Sequence, residues 1–354
     1  VADLVNLFAA KRFDFAGFYN NIKEPSWPSC GSIDQFESLP DSIKAECIEV
    51  HDLVGHILKC DNTHLDGNRI VVPHLEWHAA HSCNLTCESC SHLSNHHVGG
   101  LVELEQLKEW FGLWTDKIVP LKLAVLGGEP LLNKRIVDIV KLSREMWATT
   151  PGQIFELVTN GFLLDNYPDL PQALADTDCK LTISYHGKTE NYNKKLQSVM
   201  ETAKQWQQQW GIQVRTEIPN LESGGIWQRV FNGYGNHMMP YQHNDPKSSW
   251  NNCPTGQNCF QLVNGKIYKC APLAYLPLQL TKYKLHQSWD HYLSYQPLLS
   301  GASQDDIRRF FNRGAESHCA MCPSKPVKFA KRDPTMPIAF YEKNIELSAM
   351  PTIG

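Results

Sequence analysis

The chain has 354 residues, 42% hydrophobic and 20% charged, with a formal net charge of −4. That length excludes a small stapled scaffold and predicts two domains, or one barrel with additions. The charge and the lack of a basic tract argue against a nucleic-acid partner held by phosphate neutralisation.

No apolar run reaches membrane-span length, and the opening VADLVNLFAAKRFDF does not read as a secretory signal. Twelve cysteines are present, eight of them in two groups: Cys83, Cys87, Cys90, then Cys253, Cys259, Cys270, Cys319, Cys322. Clustering of this kind favours metal binding over disulfides. It predicts a reducing, cytoplasmic setting with no membrane partner. The solitary Cys30, Cys47, Cys60 and Cys179 read as small core residues.

In chain order, residues 1–69 read as a helical extension. Within it DSIKAECIEVHDLVGHILK (41–59) sets Ile43, Cys47, Val50, Val54, Ile57 and Leu58 at helical spacing. From residue 70 to 222 strands alternate with helices. RIVVPHLEWHAA, LKLAVLGGEPLL, IFELVTNG, KLTISYHG and IQVRTEIPN read as strands. ELEQLKEWFGLWTDK, KRIVDIVKLSREMW and YNKKLQSVMETAKQWQQQW read as helices. Such alternation predicts parallel strands with crossover helices.

Each strand is two-faced. Leu75, Trp77 and Ala79 alternate with His74, Glu76 and His78. Leu181, Ile183 and Tyr185 alternate with Thr182, Ser184 and His186. A flat parallel sheet buried on both faces would be apolar throughout. The pattern predicts an α/β fold with a partial barrel, helices outside and a polar lumen, its site at the C-terminal strand ends. There fall the cysteine loop, GGEP, TNG and SYHG.

Residues 223–252 read as a loop-rich linker, and 253–354 as a small C-terminal unit. In that unit CFQLVNGKIYKC is a hairpin about Asn264-Gly265, and SQDDIRRFFNRGAESH is a helix leading to CAMC.

The stretch HSCNLTCESCSH carries the sharpest signal, a C-x3-C-x2-C of Cys83, Cys87 and Cys90. Thiolates bind zinc or iron–sulfur clusters, and a closed zinc site could take His81 or His92 as its fourth ligand. Three thiolates on a [4Fe–4S] cluster instead leave one iron open to a small molecule.

With CNLTCESC after a strand and GGEP after the next, the chain resembles the radical SAM superfamily. The resemblance implies a partial (β/α)6 barrel over roughly residues 70–222, a [4Fe–4S] cluster on Cys83, Cys87 and Cys90, and S-adenosylmethionine (SAM) on the open iron. One electron, from a reductant such as flavodoxin or ferredoxin, would cleave SAM to a 5′-deoxyadenosyl radical that abstracts hydrogen from substrate. Gly127, Gly128 and Glu129 would approach the methionine amino group. Asn160, Ser184 and Arg215 are further candidates for the ribose or carboxylate. The family's usual aromatic before the third cysteine is replaced by Ser89, which directs attention to His92 or a strand end for the adenine.

Cys253, Cys270, Cys319 and Cys322, with Cys259, resemble the auxiliary-cluster region called SPASM or twitch, and imply one further [4Fe–4S] cluster from five candidate ligands. Cys259 is then a ligand or a free thiol able to donate hydrogen. Glu76 is the candidate base, with His74 and His78 lining the lumen. The implied substrate is polar: a peptide or protein, undergoing oxidation, crosslinking or epimerisation, or a sugar or aminocyclitol in the alternative. The rival from another class is a non-catalytic zinc-binding protein.

Overall fold

The computed structural model describes residues 64–66, 69–147, 153–187, 189–217, 229–253, 259–325, 327 and 333–337. The helix expected over 41–59 and the cysteines at 30, 47 and 60 lie outside these residues.

Five strands run parallel in chain order: β2 (Arg69–Ala80), β3 (Ile118–Gly127), β4 (Ile154–Thr159), β5 (Lys180–Ser184) and β6 (Val214–Glu217). β1 (His64–Asp66) adds antiparallel to β2. Also on the edge of β2 away from β3 come β7 (Phe260–Val263), parallel to it, and β8 (Lys266–Tyr268), antiparallel to β7. The sequential order β2 to β6 is the one crossover helices impose when each connection advances one strand.

The helices between the strands are α1 (Leu104–Gly112), α2 (Ile136–Met146), α3 (Leu170–Asp176) and α4 (Glu190–Trp210). Each buries one apolar stripe: Leu107, Trp110 and Phe111 on α1, Ile136, Ile139 and Val140 on α2, Val199, Ala203 and Trp206 on α4. These join the apolar set of the strands, including Leu75, Trp77, Leu123, Val125, Phe155, Leu157, Leu181 and Ile183, in one core. At its ends, α4 is capped by the Thr189 side chain, which accepts from Tyr192 N–H, and by Gly211 at φ 68°.

Strand register confirms the two-faced reading. Glu76 stands opposite Ala124, Ala124 opposite Glu156, and Thr182 opposite Arg215. In-register parallel partners share a face, so the polar residues line one side of the sheet. Glu76, Glu156 and Thr182 are buried there, which requires them to find polar partners. Lys122 Nζ meets Glu156 Oε1 at 2.5 Å, and Thr182 Oγ1 donates to Glu156 Oε2 at 3.0 Å.

The predicted hairpin forms, with Asn264 and Gly265 both at positive φ (51° and 71°). Its place differs from expectation. It belongs to the main sheet through the β2–β7 ladder, and is not confined to a separate C-terminal unit. An added strand satisfies backbone groups that an edge β2 would leave open. The hairpin is locked by Trp114, whose Nε1–H donates to the Gly265 carbonyl at 3.0 Å.

The remaining helices are α5 (Pro246–Asn251), α6 (Ala271–Gln279), α7 (Asp290–Leu293) and α8 (Gln304–Phe311). The span read as a linker thus contains α5. The apolar, proline-bearing APLAYLPLQ forms α6, buried nearly all round, so no amphipathic period marks it. Among the described residues no helix is long and apolar enough to cross a membrane.

Candidate active site

The C-terminal ends of β2 and β3 lie side by side, and the cysteine loop leaves one of them. Pairing continues past the strands: Gly128 N–H donates to the Ala80 carbonyl and Glu129 N–H to the Ser82 carbonyl, each at 2.9 Å. This close approach needs the two glycines. A Cβ on Gly127 would overlap the Ala80 carbonyl oxygen, and one on Gly128 the Ser82 carbonyl. The GG pair therefore seats the turn against the loop that carries Cys83.

Glu129 is fully buried (0% exposed). Thr159 Oγ1 and Leu131 N–H donate to its Oε1, and Asn160 N–H donates to its Oε2 at 2.9 Å. Burial raises its pKa to about 7, against the pull of these three bonds. The carboxylate thus ties the β3 turn to the end of β4.

Asn160 is buried as well. Its amide donates to Asn84 Oδ1 at 2.7 Å and its Oδ1 accepts from Phe162 N–H. Ser184 is buried at the end of β5, where its carbonyl accepts from the Tyr192 hydroxyl. Arg215 is half-buried on β6 and acts on Glu156. Burial would raise that carboxyl, but Lys122 and Arg215 bring it below its ordinary value.

Cys83, Cys87 and Cys90 are free thiols facing one electrostatic neighbourhood. Burial raises all three, and Cys83 is raised further by Cys87, Glu129 and Cys90. Backbone amides oppose this: Leu85 N–H donates to Cys83 Sγ at 3.3 Å, and the amides of Ser94, His92, Asn95 and Leu93 act on Cys90. Buried thiolates repel one another, so their ionised form calls for cations among them. The amides aimed at the sulfurs suit the same state. This donor set fits an iron–sulfur cluster.

Ser89 sits at φ 51°, in the left-handed region. Its Oγ accepts from Val230 N–H (2.7 Å) and Phe231 N–H (3.2 Å). Glu88 pairs with Arg229 alongside. The loop is thereby fastened to residues 229–231, and Thr86 fastens it to the segment 333–337 through Pro334 and Met336 carbonyls.

The histidines form a row about the buried His78. His78 bonds His81 through Nδ1 (3.1 Å) and His92 through Nε2 (2.7 Å), and lies flat on Tyr275 with ring centroids 3.7 Å apart. His92 is therefore engaged with His78. Burial first, then neighbouring His92 and His81, hold His78 well below its usual pKa, so it is neutral.

The second cysteine group divides. Cys322 feels Cys253, Cys270 and Cys319, and Cys270 feels Cys253 and Cys319. The four arrive from the end of α5, the N-cap of α6, and the turn Ser317–Met321 with its C-cap Cys322. Ser249 Oγ binds the Cys322 carbonyl at 2.9 Å, joining α5 to that turn. Beside them Lys269 is 2% exposed, 3.1 Å from Glu316 and 4.2 Å from the Trp250 ring centroid. This buried ammonium acts on Cys270 and Cys319 and complements an anionic centre there. Sequence reading passed over Lys269 because a lone lysine in a hairpin reads as surface. Cys259 lies with Glu76 and His74 on the sheet's polar face, and also feels Cys253.

No family model matches the chain, and no curated protein matches it. Solved structures do match. One is native anSMEcpe with bound AdoMet and Cp18Cys peptide, 20% identical over 41% of this chain and 42% of that one, at a TM-score of 0.30. SuiB of Streptococcus suis bound to precursor peptide SuiA is 13% identical over 89% and 88% of the two chains, at 0.32. SuiB bound to S-adenosylmethionine is 12% identical over the same shares, at 0.29. The chain spans under half the length of the first, 42%. Likenesses at these scores carry no argument about chemistry, which rests on the residues themselves.

Proposed function

We propose that the chain is a radical SAM enzyme with one auxiliary [4Fe–4S] cluster, acting on a polar substrate. The observation that carries this reading is the seating of the Cys83–Cys87–Cys90 loop against the Gly127–Gly128–Glu129 turn by backbone pairing at the ends of β2 and β3. Cys83, Cys87 and Cys90 would hold the first cluster. Bound there with SAM, the cluster supplies a carbon-centred radical that removes hydrogen from substrate.

The chain's residues do the positioning. Gly127 and Gly128 bring backbone close to the cluster loop, and Glu129 anchors their turn to Asn160. Asn160 and Ser184 follow at the ends of β4 and β5, where SAM's polar groups would be met. Arg215, near the start of β6 and opposite Thr182, lies lower on the polar face beside Glu156. The ion-paired sheet face supports a polar substrate.

Cys253, Cys270, Cys319 and Cys322 are the ligands we assign to the auxiliary cluster.

Anaerobic reconstitution followed by iron analysis and incubation with SAM and dithionite tests the reading. Two [4Fe–4S] clusters give about eight irons per chain, and 5′-deoxyadenosine accumulates. Colourless protein with zinc in both cysteine sets and no SAM cleavage would overturn it.

A further inference from the structure

The polar face of the sheet holds a set of ligand-type side chains that neither cysteine cluster absorbs. His74 and Glu76 lie two residues apart on β2 and so share a face. β7 runs parallel to β2 with Leu75 opposite Phe260 and Glu76 opposite Gln261. One rung back, Cys259 falls beside His74. One ligand atom from each of His74, Glu76 and Cys259 lies within 4.8 Å of the other two, and among the described residues no other trio of His, Cys, Asp or Glu does so.

Two observations point to a ligand there. His74 is 7% exposed, and its Nε2 makes no hydrogen bond although it lies 3.3 Å from Glu76 Oε1. A buried ring nitrogen without a partner is costly. The other Glu76 oxygen is already fixed: Gln261 Nε2 donates to Oε2, and the Tyr275 hydroxyl donates to Gln261 Oε1 at 3.1 Å. That chain orients the carboxylate toward His74 and Cys259, whose side chain also hydrogen-bonds it, as outer partners orient metal-binding carboxylates.

We propose that His74, Glu76 and Cys259 form a mononuclear site for a divalent transition metal, zinc in the first instance, separate from both iron–sulfur sites. One imidazole, one carboxylate and one thiolate match zinc's preferences, and three protein ligands leave a fourth position for an exchangeable one. A dication balances the ionised carboxylate and thiolate. Lys122, the nearby cation, has its own counter-charge in Glu156 at 2.5 Å. Metal binding would satisfy the orphaned nitrogen and use the placement of Cys259 beside Glu76 and His74.

The test uses iron–sulfur-reconstituted protein given one equivalent of zinc chloride, then desalted. Metal content and zinc-edge X-ray absorption are measured. The expected result is about one zinc per chain, with one sulfur at about 2.3 Å and nitrogen or oxygen in the rest of the shell. Zinc retention falls at least about tenfold in His74→Ala and Cys259→Ser, with iron content and circular dichroism unchanged. The isosteric Glu76→Gln weakens retention too, should His74→Ala disturb folding. No retained zinc, equal zinc in the variants, or a shell of three or four sulfurs overturns the proposal. So does iron loss in Cys259→Ser, which would make Cys259 an auxiliary-cluster ligand. Zinc and iron are read separately, so failure here and failure of the radical SAM reading are distinguishable.

Discussion

The backbone N–H of Asn160 donates to the Glu129 carboxylate at 2.9 Å, joining the turn after β3 to the end of β4. Thr159 and Leu131 donate to the same buried group. Glu129 is thus a fastener for the mouth of the sheet.

Replacing Glu129 by Gln removes one acceptor oxygen from three donors. Stability falls by about 1–3 kcal/mol, read as a lower melting temperature of the cluster-free chain. The pH dependence changes too. Glu129 is raised from an ordinary 4.5 to about 7, so the folded state holds its proton more tightly than the unfolded state. Its contribution is fully present below about 4.5 and is lost as pH rises to about 7. Glu129→Gln flattens that part of the stability–pH curve. An unchanged slope would show the carboxyl is not buried as described.

Gly128→Ala places a methyl group against the Ser82 carbonyl, whereas Gly100 has nothing within 4 Å of an added Cβ. Gly128→Ala therefore lowers iron retention at the first site, and Gly100→Ala leaves it unchanged. Iron analysis after reconstitution compares the two. Equal retention would remove the close-approach explanation of the GG pair.

Ser89 replaces an expected aromatic for a reason visible in its contacts. It adopts φ 51°, and its hydroxyl accepts from Val230 and Phe231 N–H. Ser89→Ala orphans both donors and costs about 1–3 kcal/mol. Ser89→Tyr adds bulk where segment 229–231 lies and destabilises further. Thermal unfolding ranks the three proteins; a Tyr variant as stable as the native chain would contradict the packing.

Cys322→Ala halves the iron content, from about eight to about four per chain, and leaves SAM cleavage in place. Cys179→Ala leaves iron unchanged, because Cys179 is buried in the main core. Iron analysis and 5′-deoxyadenosine formation check both.

Much of the fold was legible because its signals are local. The strand predicted from RIVVPHLEWHAA forms over Arg69–Ala80, and the Asn264-Gly265 turn closes the hairpin. Alternation of His74, Glu76 and His78 with Leu75, Trp77 and Ala79 revealed the polar face, since strand periodicity belongs to each strand alone. The helix α6 was missed because its surface is apolar nearly all round and two prolines break its pattern. The join between the hairpin and β2 was missed because nothing near residue 260 encodes a partner almost two hundred residues earlier.

By itself the sequence determined the cysteine spacings, the glycine turn after the second long strand and the two-faced strands. Each follows from spacing along the chain and the 2-residue and 3.6-residue periods of the backbone. Tertiary structure alone decided the rest. It set Cys259 beside His74 and Glu76, and brought Cys253, Cys270, Cys319 and Cys322 into one neighbourhood. It also turned Glu129 inward to hold Asn160, and Ser89 toward residues 229–231. These relations depend on strand register and loop packing, where residues far apart in sequence share a few ångströms of space.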